Sequence, residues 1–498
     1  MQHPQDMRLM LAILAPLIGA GLVMATGKRP NVREACSLLA ATTLCGLVVS
    51  MVPAVLGGKM LHLTLFQLFP PHADGTGGLS FALRADGLSM VFALSASFLW
   101  VLTVFYSAGY MRGLEEHAQT RFSTCFALAL FGAMGCAFSD NLLTMYLFYE
   151  IVSICTYPLV AHHQDEEGYE GGRKYLVYLT ATAKGLVLPA MVLIYVLTNN
   201  LDFATNIHSG IIPAGANHAL VTVLYGCFIL GFAKNGVMPF HNWLPSAMVA
   251  PTPVSALLHA VAVVKVGVFS TVRVMLYVFG TDLMRDLNLG LPTAYFVSFT
   301  IIVGSIVALS KDNLKARLAY STVSQLSYVI LGVALLSDAG IQGGVIHIAN
   351  HAFSKITLFF CAGAIYVATH KKNISEMSGL GRAMPFTFAA FALASLSMIG
   401  APPVAGFVTK WYLLNGAWDA HSIGIMVVLL ASTLLNAAYF VPVIYQGFFG
   451  KASEDDAKHN FSEAHPALVV PLSITAVVSV LIGLYPNFFM HFVQRLFV

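Results

Sequence analysis

Apolar residues in this chain gather into runs of about twenty, separated by short polar stretches. A helix of that length crosses the hydrocarbon core of a bilayer, which is roughly 30 Å thick. Barrel strands would instead alternate apolar and polar positions, and no such alternation is visible. The pattern therefore predicts an all-α membrane protein with about fourteen spanning helices. These lie near Leu9–Ala25, Cys36–Leu56, Gly87–Tyr106, Phe122–Phe138, Leu142–Val160, Tyr175–Leu197, Ala219–Val237, Val254–Tyr277, Pro292–Leu309, Ser324–Leu336, Gly344–Ala368, Pro385–Leu414, Ile423–Phe449 and Val469–Leu484.

Two of these spans, the seventh and the twelfth, are interrupted by proline. Four prolines follow Lys234 within twenty residues, and Gly400, Pro402 and Pro403 precede Lys410. Proline ends a helix, and in a bilayer such a break persists only where it faces protein or a cavity. Two breaks five spans apart, each with a lysine, predict two five-helix repeats of inverted topology. Helices 1–3 then occupy residues 1–121, helices 4–8 residues 122–277, helices 9–13 residues 292–449, and helix 14 residues 450–498.

The composition excludes several classes of function. Charged residues make up 10% of the chain and hydrophobic residues 57%, whereas about a quarter of an average soluble protein is charged. A net charge of +3 without a basic face argues against nucleic acid binding. The seven cysteines all lie in apolar runs without a CxxC motif, which favours small buried side chains over disulfides, zinc or iron–sulfur ligands. We therefore expect no cofactor in this chain.

Basic residues in the loops predict the orientation. Loops on the side of the two termini hold five of them, and loops on the other side hold fifteen. Because cytoplasmic loops carry the excess of lysine and arginine, both termini are predicted to lie outside the cell.

Charged residues also fall inside the predicted spans. Each costs about 2.5–3.5 kcal/mol at the centre of a bilayer, so the side chains must face one another or water within the protein. Arg273, near the end of its span, is expected to extend to the membrane surface instead. The six basic residues are Lys184, Lys234, Lys265, Arg273, Lys355 and Lys410, and the acidic one is Glu150.

Glu150 and Lys234 are the natural ion pair among these charges, because each lowers the cost of burying the other. The alternative is that both side chains reach water from the ends of their helices. Lys265 is central in its span, and His259 lies six residues before it. Six residues place the two on different faces of an ideal helix, so they share a face only if the helix is deformed.

His347, His351 and Lys355 are spaced four residues apart and form one polar stripe on an apolar helix. Histidine titrates near neutral pH, so the stripe is interpreted as a segment of a proton relay. Hydrogen-bonded core histidines and a haem or metal site remain alternatives. Lys410 follows the second break and would be the last group of the relay, unless it reaches water as an end-of-span lysine.

Six motifs in this order resemble the antiporter-like subunits of respiratory complex I and of Mrp cation/proton antiporters. They cover about Ala82–Phe449 and read LRADGLSM, MYLFYEIVS, GFAKNGVMPFHNWLPSAMVAPTPVSALLHA, KDNLKARLAYSTVSQLSYV, HIANHAFSKITLFF and GAPPVAGFVTKWYLL. The lysine at Lys410 and the absence of a long lateral helix after the last span make the chain most similar to the Mrp D-type and membrane-bound hydrogenase group. Lys184 matches no position of the family with certainty.

The resemblance implies a proton-translocating subunit of a larger complex in a bacterial or archaeal cell membrane. It assigns the relay to Glu150, Lys234, His259, Lys265, His347, His351, Lys355 and Lys410. Any redox reaction would belong to partner subunits, and coupling to sodium ions is left open. A self-sufficient secondary transporter of a small solute is the alternative, since inverted repeats and broken helices occur there too. Such carriers rarely need lysines in so many spans.

Overall fold

The apolar runs form long helices because a helix pairs every internal backbone group within itself, as an apolar surrounding requires. The structure is a computed structural model that describes residues 5–70, 78–213, 215–451 and 461–497, without the side chains of Leu258 and His259. It is mostly helical, at 77%. Ten of the described helices are long and apolar enough to cross a membrane, and two shorter apolar ones flank the predicted breaks.

The described α-helices are numbered α1 to α20. They are α1 Met7–Ala25, α2 Pro30–Leu56, α3 Gly87–Gly113, α4 Gln119–Ala137, α5 Leu142–Val160, α6 Glu166–Thr198, α7 His218–Gly231, α8 Trp243–Ser246, α9 Thr252–Ala256, α10 Val263–Val274, α11 Thr281–Asp286, α12 Gly290–Ser310, α13 Leu314–Ala334, α14 Asp338–Thr369, α15 Leu380–Ala383, α16 Pro385–Ile399, α17 Ala405–Asp419, α18 Ile423–Phe449, α19 Pro466–Leu484 and α20 Asn487–Gln494.

Helix α14 lies at the centre of the bundle. Every residue from Gly343 to Ile365 is buried. The helix packs against α3, α13, α16, α17 and α19, so its polar side chains face protein on all sides. This position makes the histidine and lysine stripe of α14 an internal feature of the molecule.

Three π turns occur inside the predicted spans of the described chain. Helix α6 contains a π turn at Ala183–Val187, and α10 lies between π turns at Leu257–Val261 and Met275–Phe279. A π turn inserts a residue into the helical repeat and is frequent at functional sites. The predicted eighth span is thus deformed at the turn that includes position 259, whose side chain lies outside the described residues.

The structure differs from the sequence prediction in two elements. The segment between the second and third spans, read as a loop, forms an antiparallel hairpin of β1 Leu61–Phe69 and β2 Leu79–Ala85. The tenth span was predicted from Ser324, but α13 begins at Leu314. The first turns of α13 are rich in polar residues, so the sequence pattern indicated a loop there. In the structure, packing inside the bundle shields several of these residues from lipid.

Candidate functional site

The chain leaves the α-helical path directly before Lys234. Helix α7 ends three residues earlier, and a single 3₁₀ turn follows it. The side-chain amide of Asn235 donates to the carbonyl of Ile229 at 3.1 Å, and the indole of Trp243 donates to the carbonyl of Ala233 at 2.9 Å. The Asn235 side chain thus satisfies a carbonyl group at the interrupted end of the helix, while the Trp243 indole shares the Ala233 carbonyl with the backbone N–H of Gly236.

Gly267 of α10 allows this turn to pack closely against the bundle. A β-carbon at position 267 would come within 2.3 Å of the carbonyl carbon of Lys234 and of the backbone nitrogen of Asn235. Since such distances are impossible without a shift of the backbone, only glycine permits the approach. The turn and α10 are therefore held in contact.

Lys234 is fully buried against α5. Its Nζ donates to the carbonyl oxygen of Tyr149 at 2.9 Å and to Oγ of Ser153 at 2.6 Å, and it lies 3.2 Å from the centroid of the Tyr149 ring. The expected direct ion pair with Glu150 is therefore replaced by contacts with that residue's neighbours on α5. Glu150 is half-buried, and its buried Oε1 has no hydrogen-bond partner among the described residues.

Lys265 and His351 meet between α10 and α14. Nζ of Lys265 lies 3.0 Å from Nδ1 of His351, and both residues are almost completely buried. The sequence placed these two side chains in separate segments of the relay. The structure brings them into direct contact and so joins two helices that are remote in sequence.

His347 lies one turn from His351 on α14, in the direction of the N-terminus of that helix. The centroids of the His347 and His351 rings are 5.6 Å apart. Nδ1 of His347 lies 3.2 Å from Oγ1 of Thr409, to which the side-chain amide of Asn350 also donates at 2.9 Å. Nε2 of His347 is buried without a partner among the described residues. His347 is thus placed beside α17, the helix that carries Lys410.

Lys355 lies on the other side of His351 along α14. Its Nζ donates to Oγ of Ser321 at 2.8 Å. The hydroxyl of Tyr439 lies 3.0 Å from the same oxygen and donates to Oδ1 of Asn436 at 2.6 Å. A buried chain of hydroxyl and amide groups therefore connects Lys355 to α18.

The side chain of Lys410 lies in the second helix break. The chain leaves α16 at Gly400, where φ is +90°, and resumes as α17 at Ala405. Nζ of Lys410 donates to the carbonyl of Ile399 at 2.7 Å and to Oγ1 of Thr433 at 2.8 Å. A β-carbon at position 400 would lie 2.5 Å from Cδ of Lys410, so glycine leaves room for this side chain.

These four lysines share one property. None of them takes part in an ion pair shorter than 4.0 Å within the described ranges. Their partners are hydroxyl groups, carbonyl groups and an imidazole. An ammonium without a carboxylate is costly in such surroundings, so a side chain that can release its proton is favoured over one that cannot.

Arg273 behaves differently, and the expectation that it extends to the membrane surface is wrong. Its guanidinium is fully buried and forms an ion pair with both carboxylate oxygens of Asp86, while also donating to Oγ of Ser89 at 2.9 Å. Asp86 immediately precedes α3 and caps it. A carboxylate within reach pairs the guanidinium inside the protein, so the side chain does not extend outward.

A second buried arginine extends this network. Nε of Arg84 lies 3.4 Å from Oδ2 of Asp86 and 3.3 Å from Oδ1 of Asp140. Burial by itself would raise the pKa of Asp86, but the positive charges of Arg273 and Arg84 outweigh it and hold that pKa well below its usual value. His62 of the hairpin bonds Asp140 at 2.8 Å, which raises the pKa of the imidazole.

Two more site residues were predicted from the sequence, Lys184 and His259. Lys184 is exposed on the outer surface of the bundle, in the π turn of α6. His259 has a described backbone in the π turn before α10, but its side chain lies outside the described residues.

Sequence reasoning missed the neutral partners and the ion-pair network. The neutral partners are ordinary helix residues: Thr409, Ser321 and Tyr439. Only the packing of the helices shows which buried lysine or histidine each of them lies near. Asp86 and Arg84 did carry a signal, because they lie in the motif LRADGLSM, where two opposite charges stand beside a spanning helix. A search for the counter-charge of Arg273 would have found them.

Family comparisons agree with this architecture. The family model described as "NADH:quinone oxidoreductase/Mrp antiporter, TM" matches residues 139–436, and "NADH-Ubiquinone oxidoreductase (complex I), chain 5 N-terminus" matches residues 74–123. The fold matches a chain of the Mrp complex from Dietzia sp. DQ12-45-1b with a TM-score of 0.86 at 21% identity, covering 98% of this chain and 96% of that one.

Two curated relatives extend the comparison. NADH-quinone oxidoreductase subunit N of Desulforudis audaxviator is 30% identical over 81% of this chain and 82% of its own length. NADH-quinone oxidoreductase subunit L of Mycobacterium tuberculosis is 32% identical over 95% of this chain and 74% of its own length. The chain therefore belongs to the family of antiporter-like membrane subunits that NADH:quinone oxidoreductases and Mrp antiporters share.

Proposed function

We propose that this chain translocates protons as one subunit of a multi-subunit membrane complex of the complex I or Mrp type. The observation that carries the proposal is a row of buried lysine and histidine side chains, of which the four lysines form no ion pair within the described part of the bundle. It consists of Lys234, Lys265, His351, His347, Lys355 and Lys410. Groups that gain and lose a proton at small cost are what a proton path through an apolar bundle requires.

The proposed path begins at Lys234, whose side chain contacts α5, the helix that carries Glu150. A carboxylate at Glu150 stabilises a proton on Lys234, and its neutralisation or displacement favours release of that proton toward the interior. The buried Oε1 of Glu150, which has no hydrogen-bond partner among the described residues, supports this role because it leaves the carboxylate free to respond. We assign His259 to this section of the proposed path as well, together with water.

The second section runs along α14. Lys265 passes its proton to His351 over 3.0 Å, and His351 hands it to either neighbour on the same helix. His347 leads toward Lys410 through the hydroxyl of Thr409, while Lys355 leads toward α18 through Ser321. We propose Lys410 as the group that exchanges with one aqueous side, because the helix break beside it admits water.

We further propose fourteen spans that contain two inverted repeats of five, in residues 122–277 and 292–449. Two similar breaks support this symmetry. Each lies after an apolar helix, α7 or α16, and each holds a lysine side chain with backbone and hydroxyl partners. Inverted repeats place equivalent sites at the same depth from opposite sides of the bilayer.

The proposed location is the cell membrane of a bacterium or archaeon, with both termini outside. The excess of basic residues in the opposite set of loops supports this orientation. We propose that redox cofactors, where the complex has them, belong to partner subunits, and that protons are the transported ion, with sodium as the alternative.

Lys184 supports the assignment to a larger complex. It lies in the middle of an apolar helix on the outer surface, where contact with lipid would cost several kcal/mol. A neighbouring membrane subunit that offers an acidic or polar group would remove this cost. We propose that α6 is covered by such a subunit.

The test of the function is proton uptake into vesicles that hold the purified complex. Lys234→Met and Lys265→Met should each lower the rate at least about tenfold while the complex stays assembled, because methionine keeps the apolar stem but cannot carry a proton. Lys59→Met, at an exposed loop position, is the matched control and should transport normally. Normal transport in both buried variants would refute the proposal.

A further inference from the structure

Four side chains that the proposed path does not use meet at one end of the bundle, where α3 and α5 end. They are Glu116, His117, His162 and His163. The candidate ligand atoms of the first three all lie within 4.8 Å of one another. Nε2 of His162 is 3.7 Å from Oε2 of Glu116, and Nε2 of His163 is 3.3 Å from its Oε1. The carboxylate thus stands between imidazoles.

His162 is the most informative member of this group. Its side chain is completely buried, and neither ring nitrogen has a hydrogen-bond partner among the described residues. An imidazole buried in this way loses the hydrogen bonds that it makes with water. The ring of Phe122 packs edge-on against it at 5.7 Å, and the ring of His117 lies 4.8 Å away, so the imidazole is held in place beneath the carboxylate.

We propose that Glu116, His117 and His162 bind a zinc ion. Zinc prefers imidazole nitrogen and carboxylate oxygen at about 2.0–2.2 Å in a tetrahedron, whose ligand atoms are roughly 3.3–3.5 Å apart. The 3.7 Å between His162 and Glu116 is close to this spacing, and rotation of the exposed His117 side chain brings the third ligand in. The fourth position belongs to water or to His163.

The surroundings allow a hydrated cation to reach the site. Glu116 and His163 also line a cavity of about 480 Å³, whose wall includes the exposed carboxylates of Glu167 and Glu170. Arg121 adds a positive charge nearby, and its guanidinium is bonded to the carbonyl oxygen of His162 at 2.8 Å. That bond fixes the backbone of His162, and it leaves the imidazole of this residue available to bind the metal ion.

The test is zinc binding to the complex, purified through an affinity tag that contains no histidine. Binding is measured by equilibrium dialysis with metal analysis. Wild type should bind one zinc ion per chain. Glu116→Gln and His162→Gln should each lower the affinity for this ion at least about tenfold. His218→Gln, which removes an exposed histidine outside the cluster, should bind like wild type. Equal binding by wild type and both cluster variants would overturn the proposal.

Cobalt gives a second measurement that does not depend on how well the variants fold. Cobalt in the wild-type complex should show the intense visible absorption of tetrahedral coordination, and zinc should abolish it by competition. A weak spectrum, typical of six-coordinate cobalt in water, would contradict a histidine and carboxylate site.

Discussion

Nζ of Lys265 lies 3.0 Å from Nδ1 of His351, which places an amine from the irregular helix α10 in contact with an imidazole at the centre of α14. Both groups are shielded from water and lipid. The contact joins the two proposed repeats, since α10 belongs to residues 122–277 and α14 to residues 292–449. Any proton that passes from one repeat to the other by buried side chains has this contact available.

His351→Gln tests whether the imidazole itself carries the proton. Glutamine can still hydrogen-bond Lys265 but cannot be protonated at neutral pH, so proton uptake should fall at least about tenfold with assembly unchanged. His370→Gln, at the exposed end of the same helix, should transport normally. Full activity of His351→Gln would mean that the proton passes by another route.

The pair of Asp86 and Arg273 should stabilise the fold. Asp86→Asn leaves a buried guanidinium without its carboxylate and should destabilise the protein by about 3–5 kcal/mol, measured as a lower unfolding temperature of the purified complex. Asp282→Asn, which breaks the exposed pair with Arg285, should cost about 0–1 kcal/mol. Adding Arg273→Met to Asp86→Asn should recover part of the loss. Equal effects of the buried and exposed variants would contradict this role.

The same pair predicts a particular pH dependence. Because the pKa of Asp86 is lowered in the folded protein, its contribution is fully present above the unfolded pKa of about 3.9 and disappears only as the pH falls through the folded value. The difference in unfolding temperature between wild type and Asp86→Asn should therefore be constant between about pH 5 and pH 8. A difference near zero at every pH would indicate an ordinary, exposed carboxylate, whose pKa is the same in the folded and unfolded protein.

Lys410 distinguishes proton exchange from a structural charge. Arginine keeps the positive charge but hardly releases its proton, so Lys410→Arg should impair proton uptake about as severely as Lys410→Ala, with both complexes assembled. If Lys410→Arg transports normally while Lys410→Ala fails to assemble, the lysine is a structural counter-charge and not an exchange site.

Redox cofactors are expected to belong to partner subunits. The chain purified by itself should therefore lack haem absorption and stoichiometric iron. A haem spectrum that disappears in His347→Ala would instead assign the α14 histidines as ligands.

The sequence predicted most of the long helices, because a helix that crosses a membrane requires an apolar run of about twenty residues and such runs are visible in the sequence. Apolar runs set the helices, and prolines near Lys234 and Lys410 marked the two breaks. Contacts between distant helices could not be read in this way. Nothing in the sequence places Lys265 beside His351, since that contact depends on how helices pack. Asp86 carried a signal as a charge beside a spanning helix, but only packing shows that it pairs with Arg273. The β-hairpin was hidden for a related reason, because only the pairing of Leu61–Phe69 with Leu79–Ala85 shows that these segments are strands.

Glu150→Gln is the most direct test of the proposed transport mechanism, because the amide preserves size and shape and removes only the charge that controls Lys234. Proton uptake should be measured in vesicles with the wild-type and variant complexes at equal, verified subunit content. The account predicts that Glu150→Gln assembles normally and loses at least about nine-tenths of the proton uptake rate. Wild-type uptake by the assembled variant would contradict it.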